Sequence, residues 1–260
     1  MNICEEMEKR RTRLLGTCTI SAFDGMVIVP HIELFRRVLA IGDIHGNLER
    51  LLSLFHRMDY CVEDDLLVFL GDYIDRGEYS AECLQYVMKL TEKSSHVIAL
   101  TGNHEAMMLN YFENHSIRDP MDETHGWLHS GGIQTFESLS RVYWQDSALY
   151  HALLSFVLSL NHIAAVGTEY IFTHAGFYPK VPYAKQFDAM LWLREEFYHN
   201  YDGEKTVVVG HTPVQFFHKE QTRPIRLQNK IIDCDTGSFL PHGYISCVDV
   251  KSMKCWQSAD

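Results

Sequence analysis

The sequence predicts an α/β protein in which two β-sheets lie between two layers of helices, a four-layer αββα sandwich. Short apolar runs, such as residues 66–70, are typical of buried strands. Between the first three of these runs lie segments in which leucine recurs at helical spacing. The first three runs each end in a polar block, and these blocks recur at intervals of about 30 residues. That interval fits a strand, a crossover helix and a return strand, so three parallel strands should end at one edge of a sheet.

The start of the chain differs from the rest. Residues 1–37 are mixed in charge and weakly periodic before residues 28–30, so we expect an N-terminal extension that packs as a strand or stays partly mobile. Residues 38–260 should form a single domain, because a chain of 260 residues with 46% apolar residues can bury one full core.

Helices are expected between the polar blocks, where leucines recur at helical spacing. The predicted crossover helices cover residues 47–58, 80–93 and 104–112, and the second begins with a serine cap. Residues 113–160 are also helical in pattern and should form a small helical cap beside the cleft. We expect four aromatic residues to pack within the cap rather than line a substrate wall; they are Trp127, Phe136, Tyr143 and Trp144.

Strand signals continue in the second half of the chain. Two short apolar runs end at His174 and at His211, each beside small residues. Further short strands are expected near residues 225–227, 231–234 and 244–250. Together, these later strands should form the second sheet.

Six polar side chains follow directly after predicted strands, where parallel α/β sheets bind their ligands. They are Asp43, His45, Asp72, Asn103, His174 and His211. The chain has 15 histidines, and we single out only those that stand at strand ends beside small residues. Oxygen and nitrogen donors without thiolates favour Mn, Fe or Zn over Ca, and argue against a cysteine-based zinc site.

These side chains divide into two metal sites that share one carboxylate. One ion could take Asp43, His45 and Asp72. The second could take Asp72 together with the amide of Asn103 and the two later histidines. A bridging Asp72 would hold two dications roughly 3.5–4 Å apart, the spacing at which both can act on an in-line displacement.

The polar blocks occur in the order Gly-Asp-x-His-Gly, Gly-Asp-x-x-Asp-Arg-Gly, Gly-Asn-His-Glu, a single histidine and Gly-His-Thr-Pro. This set resembles the phosphoprotein phosphatase family of dinuclear metallophosphoesterases over residues 38–250. It is most similar to the bacterial and bacteriophage lambda serine/threonine phosphatase branch, because of two further elements. These are Trp127-Leu128-His129-Ser130-Gly131-Gly132, with Ser130 where that branch has Asn, and Ile232-Asp233-Cys234-Asp235-Thr236-Gly237. The resemblance implies the same four-layer metallophosphoesterase sandwich and two bound divalent ions, with Mn expected first.

The resemblance also assigns roles around the metals. His104 would be the general acid that protonates the leaving oxygen, with Asp75 fixing its tautomer. Arg76 would hold phosphate oxygens through its planar fork, and Asn103 and His104 would contact the same phosphate. Arg194 is the expected second phosphate arginine; the alternative is a solvated ion pair with the glutamates that follow it. A hydroxide bridging the two ions would attack phosphorus in line.

Phosphoserine or phosphothreonine in proteins is the expected substrate, since Asp75 and Glu105 match the protein phosphatases of the family. The alternative is symmetrical hydrolysis of diadenosine tetraphosphate. The closely similar enzymes that catalyse it commonly have no acid at the position of Asp75 and have Asp at the position of Glu105. A third hypothesis is a non-catalytic scaffold that binds phosphorylated partners. It is disfavoured because every expected ligand and acid position is filled.

Composition argues against several classes of partner. A formal charge of −11 disfavours a nucleic acid polymer or an anionic membrane, and no apolar stretch is long enough to span a bilayer. The first residues lack the pattern of a signal peptide, and the seven cysteines include no Cys-x-x-Cys pair. We therefore expect an intracellular, cytoplasmic protein with reduced thiols, in which Cys234 is a buried apolar residue. No sequence feature specifies an oligomeric state.

Overall fold

The computed structural model describes residues 20–23, 25–122 and 124–259, and its strands form two β-sheets. In chain order the strands are β1 (Ser21–Phe23), β2 (Met26–Val29), β3 (Arg37–Ile41), β4 (Asp65–Phe69), β5 (Val97–Ala99), β6 (Ile163–Val166), β7 (Tyr170–Thr173), β8 (Thr206–Val209), β9 (Ile225–Arg226), β10 (Ile231–Asp233), β11 (Ser246–Asp249) and β12 (Cys255–Gln257). The five-stranded sheet has the spatial order β12-β11-β3-β4-β5. The seven-stranded sheet has the order β1-β2-β6-β7-β8-β10-β9.

Helices pack on the outer faces of both sheets. In chain order they are α1 (Leu48–Met58), α2 (Ser80–Lys93), α3 (Asn103–Asn114), α4 (Ile133–Gln145), α5 (Ser147–Leu158), α6 (Phe187–Trp192) and α7 (Glu195–Asn200). The first three agree with the predicted crossover helices. The predicted serine cap of α2 is wrong, because Tyr79 is the N-cap residue. The Ser80 hydroxyl instead accepts a hydrogen bond from the backbone N–H of Asp75 (3.1 Å). Because this N–H is buried, it needs an acceptor inside the protein.

The alternation of side chains along each strand produces four layers. In β3, Leu39 packs with helices on the outer face, whereas Val38 belongs to the core between the sheets. In β8, Val208 belongs to the same inner core, and Val207 packs with residues of α6 and α7 on the opposite face. Two packed sheets flanked by two helical layers confirm the predicted αββα sandwich.

Three neighbouring parallel strands bring the polar blocks to one edge. β3 pairs in parallel with β4, and β4 with β5, in a register that places Ile41 beside Phe69 and Phe69 beside Ala99. Each of these residues is the last of its strand, so the blocks that follow begin at the same level. In the second sheet, β7 and β8 are also parallel, and they end just before His174 and Gly210.

One strand belongs to a different sheet from the sheet predicted for it. β9 and β10 join the seven-stranded sheet, as expected, but β11 pairs antiparallel with β3 in the five-stranded sheet. The prediction that residues 244–250 belong to the second sheet is therefore wrong. Val248 lies opposite Ala40, and both side chains contribute to the core between the sheets. Local alternation identifies a strand, but the choice of neighbour depends on which sheet edge the chain reaches.

The end of the N-terminal extension is part of the second sheet, since β2 pairs in parallel with β6. Residues 26–29 of the extension thus form a strand, while residues 1–19 lie outside the described residues. Cys234 is buried in the core between the sheets, as expected. Among the described residues, no helix combines the length and apolar character needed to cross a membrane.

The segment predicted as a helical cap packs in the outer helical layer of the five-stranded sheet. Its helices α4 and α5 contact α2 and share that hydrophobic core. Trp127 and Phe136 are buried there, as expected, whereas Trp144 is 72% exposed. The segment borders the polar blocks through Trp127 and Thr135, which both reach Asp75.

Candidate active site

The polar blocks after β3, β4, β5, β7 and β8 meet in one buried cluster. All six side chains predicted to bind metal are buried: Asp43, His45, Asp72, Asn103, His174 and His211. Three of them, and the neighbouring Asp75 and Arg76, have left-handed backbone angles, with φ of 50° at His45, 53° at Asp72, 73° at Asp75, 70° at Arg76 and 68° at His211. Such angles are uncommon for residues other than glycine, and they concentrate at functional sites.

Two glycines allow neighbouring blocks to approach the acidic side chains. A Cβ atom at Gly102 would collide with the carboxylate of Asp72, and one at Gly210 would collide with the carboxylate of Asp43. Any side chain at either glycine would therefore displace an acid of the cluster.

His45 directs one ring nitrogen, Nε2, toward the acids of the cluster. Its Nδ1–H donates to the carbonyl oxygen of Ile74 (2.9 Å), and burial lowers its pKa, so the ring is neutral and Nε2 carries a lone pair. Nε2 lies 3.9 Å from Asp43 Oδ2 and 3.8 Å from Asp72 Oδ2. Three acceptors facing one another need a cation, and a backbone bond at the other ring nitrogen is typical of a metal ligand. Here Arg76 Nη1 contacts Nε2 at 2.6 Å, a contact that a bound metal ion would replace.

His174 is oriented in the same way. Its Nδ1–H donates to the carbonyl oxygen of Leu70 (2.8 Å), and Nε2 lies 2.9 Å from Asn103 Oδ1 and 3.5 Å from Asp72 Oδ1. Nδ1 of His211 lies 2.9 Å from the same amide oxygen. Burial lowers the pKa of His174 and lowers that of His211 to about 2, so both rings are neutral. Lone pairs of nitrogen and oxygen again converge, as in a divalent metal site.

The residues therefore fit a pair of metal ions. Ligand atoms lie within 4.8 Å of one another in two groups, one of His45, Asp72 and His104 and one of Asp72, His174 and His211. Asp72 belongs to both groups, as a carboxylate that bridges two metal ions would. In the first group His104 stands where the sequence suggested Asp43, although Asp43 also reaches His45.

Asp235 is an additional acid at this cluster to which the sequence analysis gave no role. It follows β10, it is buried, and its Oδ1 accepts a hydrogen bond from the Gly237 N–H (2.8 Å). Its Oδ2 is buried without a hydrogen-bond partner in the described part of the chain. Burial raises the pKa of Asp235 to about 6, and burial together with Asp235 raises the pKa of Asp43. The signal in the sequence was another acid just past a strand end.

His104 and Asp75 form a hydrogen-bonded dyad. The Nδ1 atom of His104 lies 2.6 Å from Asp75 Oδ2, so its Nε2 is left for the cleft. The same Oδ2 accepts a hydrogen bond from Trp127 Nε1 (2.8 Å), and Oδ1 accepts one from the Thr135 hydroxyl (2.6 Å). Burial lowers the pKa of His104, but Asp72 and the bond to Asp75 outweigh burial, and the net pKa is raised. Trp127 and Thr135 were not predicted from the sequence to support this dyad.

Two arginines lie at the cluster. Nη2 of Arg76 lies 3.1 Å from His104 Nε2. Arg194 directly precedes α7, and its Nη1 donates to the carbonyl oxygen of His211 (3.1 Å) and to the Thr212 hydroxyl (3.0 Å). No acidic side chain within the described ranges forms an ion pair with Arg194, so the alternative of a solvated pair with the following glutamates is not seen. Both arginines line the same cleft, with His104.

Glu105 ties two of the blocks together. Its carboxylate accepts hydrogen bonds from the backbone N–H groups of Asp72 (2.9 Å), Tyr73 (2.8 Å) and Gly102 (2.9 Å). From the sequence, Glu105 was expected only to discriminate between substrates. In the structure it also fixes the position of Asp72 relative to the block that carries Asn103.

A four-layer α/β sandwich with an aspartate shared by two histidine clusters defines the protein as a metal-dependent phosphoester hydrolase. Residues 36–234 match the family described as calcineurin-like phosphoesterase. The chain belongs to this family, which confirms the resemblance found in the sequence. The family and the buried clusters together support a pair of divalent metal ions.

Similar proteins fall into two functional groups. "Serine/threonine-protein phosphatase 2" of Salmonella typhimurium is 30% identical over 233 residues, which cover 84% of this chain and 95% of that protein. "Bis(5'-nucleosyl)-tetraphosphatase PrpE [asymmetrical]" of Bacillus velezensis is 27% identical over 216 residues, which cover 76% of this chain and 82% of that protein. A solved structure described as a candidate diadenosine tetraphosphatase has a TM-score of 0.65 at 20% identity, covering 89% of this chain and 96% of that chain. This last similarity concerns the fold.

Proposed function

We propose that the protein removes phosphate from phosphoserine or phosphothreonine in proteins, with Mn as the metal. The observation that carries this proposal is the His104–Asp75 dyad (2.6 Å), which lies beside Asp72 in a cleft that also contains Arg76 and Arg194. An acid poised next to phosphate-binding groups suits cleavage of an ester whose leaving oxygen must be protonated.

The proposed metal sites follow the grouping derived from the sequence. One ion would be held by Asp43, His45 and Asp72. The other would be held by Asp72, Asn103, His174 and His211. When bound, such a pair supplies a water of lowered pKa as the nucleophile and neutralises charge on the phosphoryl group.

The protein's own side chains would bind and orient the phosphoryl group and deliver a proton. Arg76 and Arg194 would donate hydrogen bonds to phosphoryl oxygens, assisted by Asn103. His104 would pass the proton on Nε2 to the leaving oxygen, and Asp75 would stabilise the imidazolium through Nδ1. Arg76 must leave His45 Nε2 for this role.

Two kinds of support favour a phosphoprotein substrate. Asp75 and Glu105 match the protein phosphatases of the family, and the Salmonella typhimurium relative is named a serine/threonine-protein phosphatase. A second candidate is hydrolysis of dinucleoside tetraphosphates, since the Bacillus velezensis relative bears that name. Exposed aromatic side chains at the cleft also favour this candidate. The sequence analysis suggested the symmetrical reaction, whereas that relative is named asymmetrical.

The test compares two substrates and two histidine variants. Mn-loaded protein is incubated with a phosphothreonine peptide and, separately, with diadenosine tetraphosphate. Release of phosphate from the peptide supports the first proposal. Two ADP from the dinucleotide would indicate symmetrical cleavage, and AMP with ATP asymmetrical cleavage.

His104→Asn should abolish most turnover with metal content unchanged, whereas His56→Asn, an exposed change on α1, should leave both unchanged. Silence of the wild type toward both substrates, with retained binding of the phosphopeptide, would instead indicate a non-catalytic scaffold.

A further inference from the structure

Two exposed aromatic side chains, Phe216 and Phe239, line the cleft, and a third, Trp192, packs against His211, which also lines it. Trp192 is 48% exposed, Phe216 is 76% exposed and Phe239 is 36% exposed. They come from separate parts of the chain: the end of α6, the turn after β8 and the loop after Asp235. Single exposed apolar residues need no explanation, but a group of large ones around one cleft marks a binding surface.

The aromatic surface begins at the groups proposed to bind phosphate. The ring of Phe239 lies 3.7 Å from the guanidinium carbon of Arg76 and packs edge to face with His45 at 5.1 Å. Trp192 packs edge to face with His211 at 6.2 Å. Phe216 lines the same cleft as Phe239. The aromatic side chains therefore contact residues of both proposed metal sites.

The size of the cleft places most of a substrate outside it. Its volume is about 170 Å³, below the roughly 300–1,000 Å³ of pockets that enclose a whole small molecule. A phosphoryl group fits in such a space, and its leaving group would then lie against the aromatic side chains. The side chain of serine or threonine is too small to cover these rings, whereas a planar ring can stack on them.

We propose that Trp192, Phe216 and Phe239 form a subsite for a planar aromatic ring on the leaving side of the substrate. A nucleobase and the ring of an aryl phosphate share this chemistry. The inference rests on the proposed phosphoester hydrolysis and adds to it a preference for substrates that carry a planar ring next to the phosphoryl group.

The kinetic test removes one ring and compares matched substrates. Phe216→Ala should lower kcat/KM for diadenosine tetraphosphate about tenfold, since stacking on one aromatic side chain contributes on the order of a tenfold effect per base. The value for phosphoserine should stay within about twofold, and Phe216→Tyr should retain the wild-type preference. Trp144→Ala is the matched control, because Trp144 is 72% exposed but lies on α4. Phosphotyrosine distinguishes a nucleobase from other rings. If Phe216→Ala lowers kcat/KM for phosphotyrosine as well, the subsite accepts aromatic rings in general, and if it lowers kcat/KM for the dinucleotide alone, the subsite is specific for a nucleobase.

A binding test is independent of turnover. Metal-loaded protein is titrated calorimetrically with AMP and with ribose 5-phosphate, which differ in the ring. The wild type should bind AMP about tenfold more tightly, and Phe216→Ala should remove this difference. Equal affinity of the wild type for both ligands, or an equal loss for both in the variant, would overturn the subsite. If the wild type hydrolyses no phosphoester, the proposed function fails, while the affinity difference still reports on the subsite.

Discussion

Replacing Asp75 with asparagine should slow turnover by an amount that depends on the leaving group. The Asp75 carboxylate accepts hydrogen bonds from His104 Nδ1 (2.6 Å), Trp127 Nε1 (2.8 Å) and the Thr135 hydroxyl (2.6 Å). An amide has nearly the same shape and keeps one acceptor oxygen, but it carries no charge. The variant therefore removes the stabilisation of protonated His104 with little change in packing.

The size of the effect follows from the lost charge. A hydrogen bond to a charged group contributes about 1.5–3 kcal/mol, and each 1.36 kcal/mol in the barrier is a factor of about ten in rate. We expect kcat for a phosphoserine peptide to fall by about 10- to 100-fold. The substitution should also lower the pKa of His104, so the alkaline fall in kcat moves to lower pH, since a general acid must be protonated.

The assay compares a poor and a good leaving group. p-Nitrophenyl phosphate releases a phenolate that needs little protonation, so its hydrolysis should fall much less than that of the phosphoserine peptide. Trp127→Phe is a useful control, because it removes one donor to Asp75 but keeps the charge. Equal losses for both substrates, or a reduced metal content of Asp75→Asn, would refute the assignment of His104 as the acid.

Three further predictions concern metal binding, backbone approach and stability. Asp72→Asn should reduce bound metal from two ions toward one or none, measured by elemental analysis; full metal content would exclude a bridging role. Gly102→Ala should sharply lower activity and metal content, because the added methyl group collides with the Asp72 carboxylate, whereas Gly126→Ala meets no neighbouring atom and should change neither. Asp65→Asn should lower the free energy of unfolding by about 1–2 kcal/mol at pH 7. Burial raises the pKa of Asp65, but the hydrogen bonds from Arg37 and Arg36 outweigh burial and lower this pKa to about 2. A carboxyl group with a lowered pKa stabilises the folded state at pH values above its unfolded pKa of about 3.9, and this stabilisation is lost as the pH falls toward 2. In urea unfolding, the difference in unfolding free energy between wild type and variant should therefore shrink from pH 7 to pH 3. A difference that stays constant would contradict the pairing with the arginines.

The strand ends and the order of the polar blocks could be read from the sequence. Each block follows a short apolar run, and the parallel register of β3, β4 and β5 carries Asp43, Asp72 and Asn103 to one edge. Both properties arise from local spacing, since the length of a crossover unit fixes which strands become neighbours. The residues proposed to bind metal can therefore be identified from the sequence alone.

The partners of these residues depended on tertiary structure. Trp127 and Thr135 lie more than 50 positions from Asp75 in the chain but donate to its carboxylate, and the pattern around Trp127 predicted only packing. The pairing of β11 with β3 was likewise beyond local pattern. Asp235 stands just past a strand end in the sequence, but only the structure shows that its carboxylate is buried at the cluster. A repeat of apolar residues specifies which face of an element is buried. Which donor then meets a buried carboxylate, and which ring lies over an arginine, is settled only when distant segments pack together.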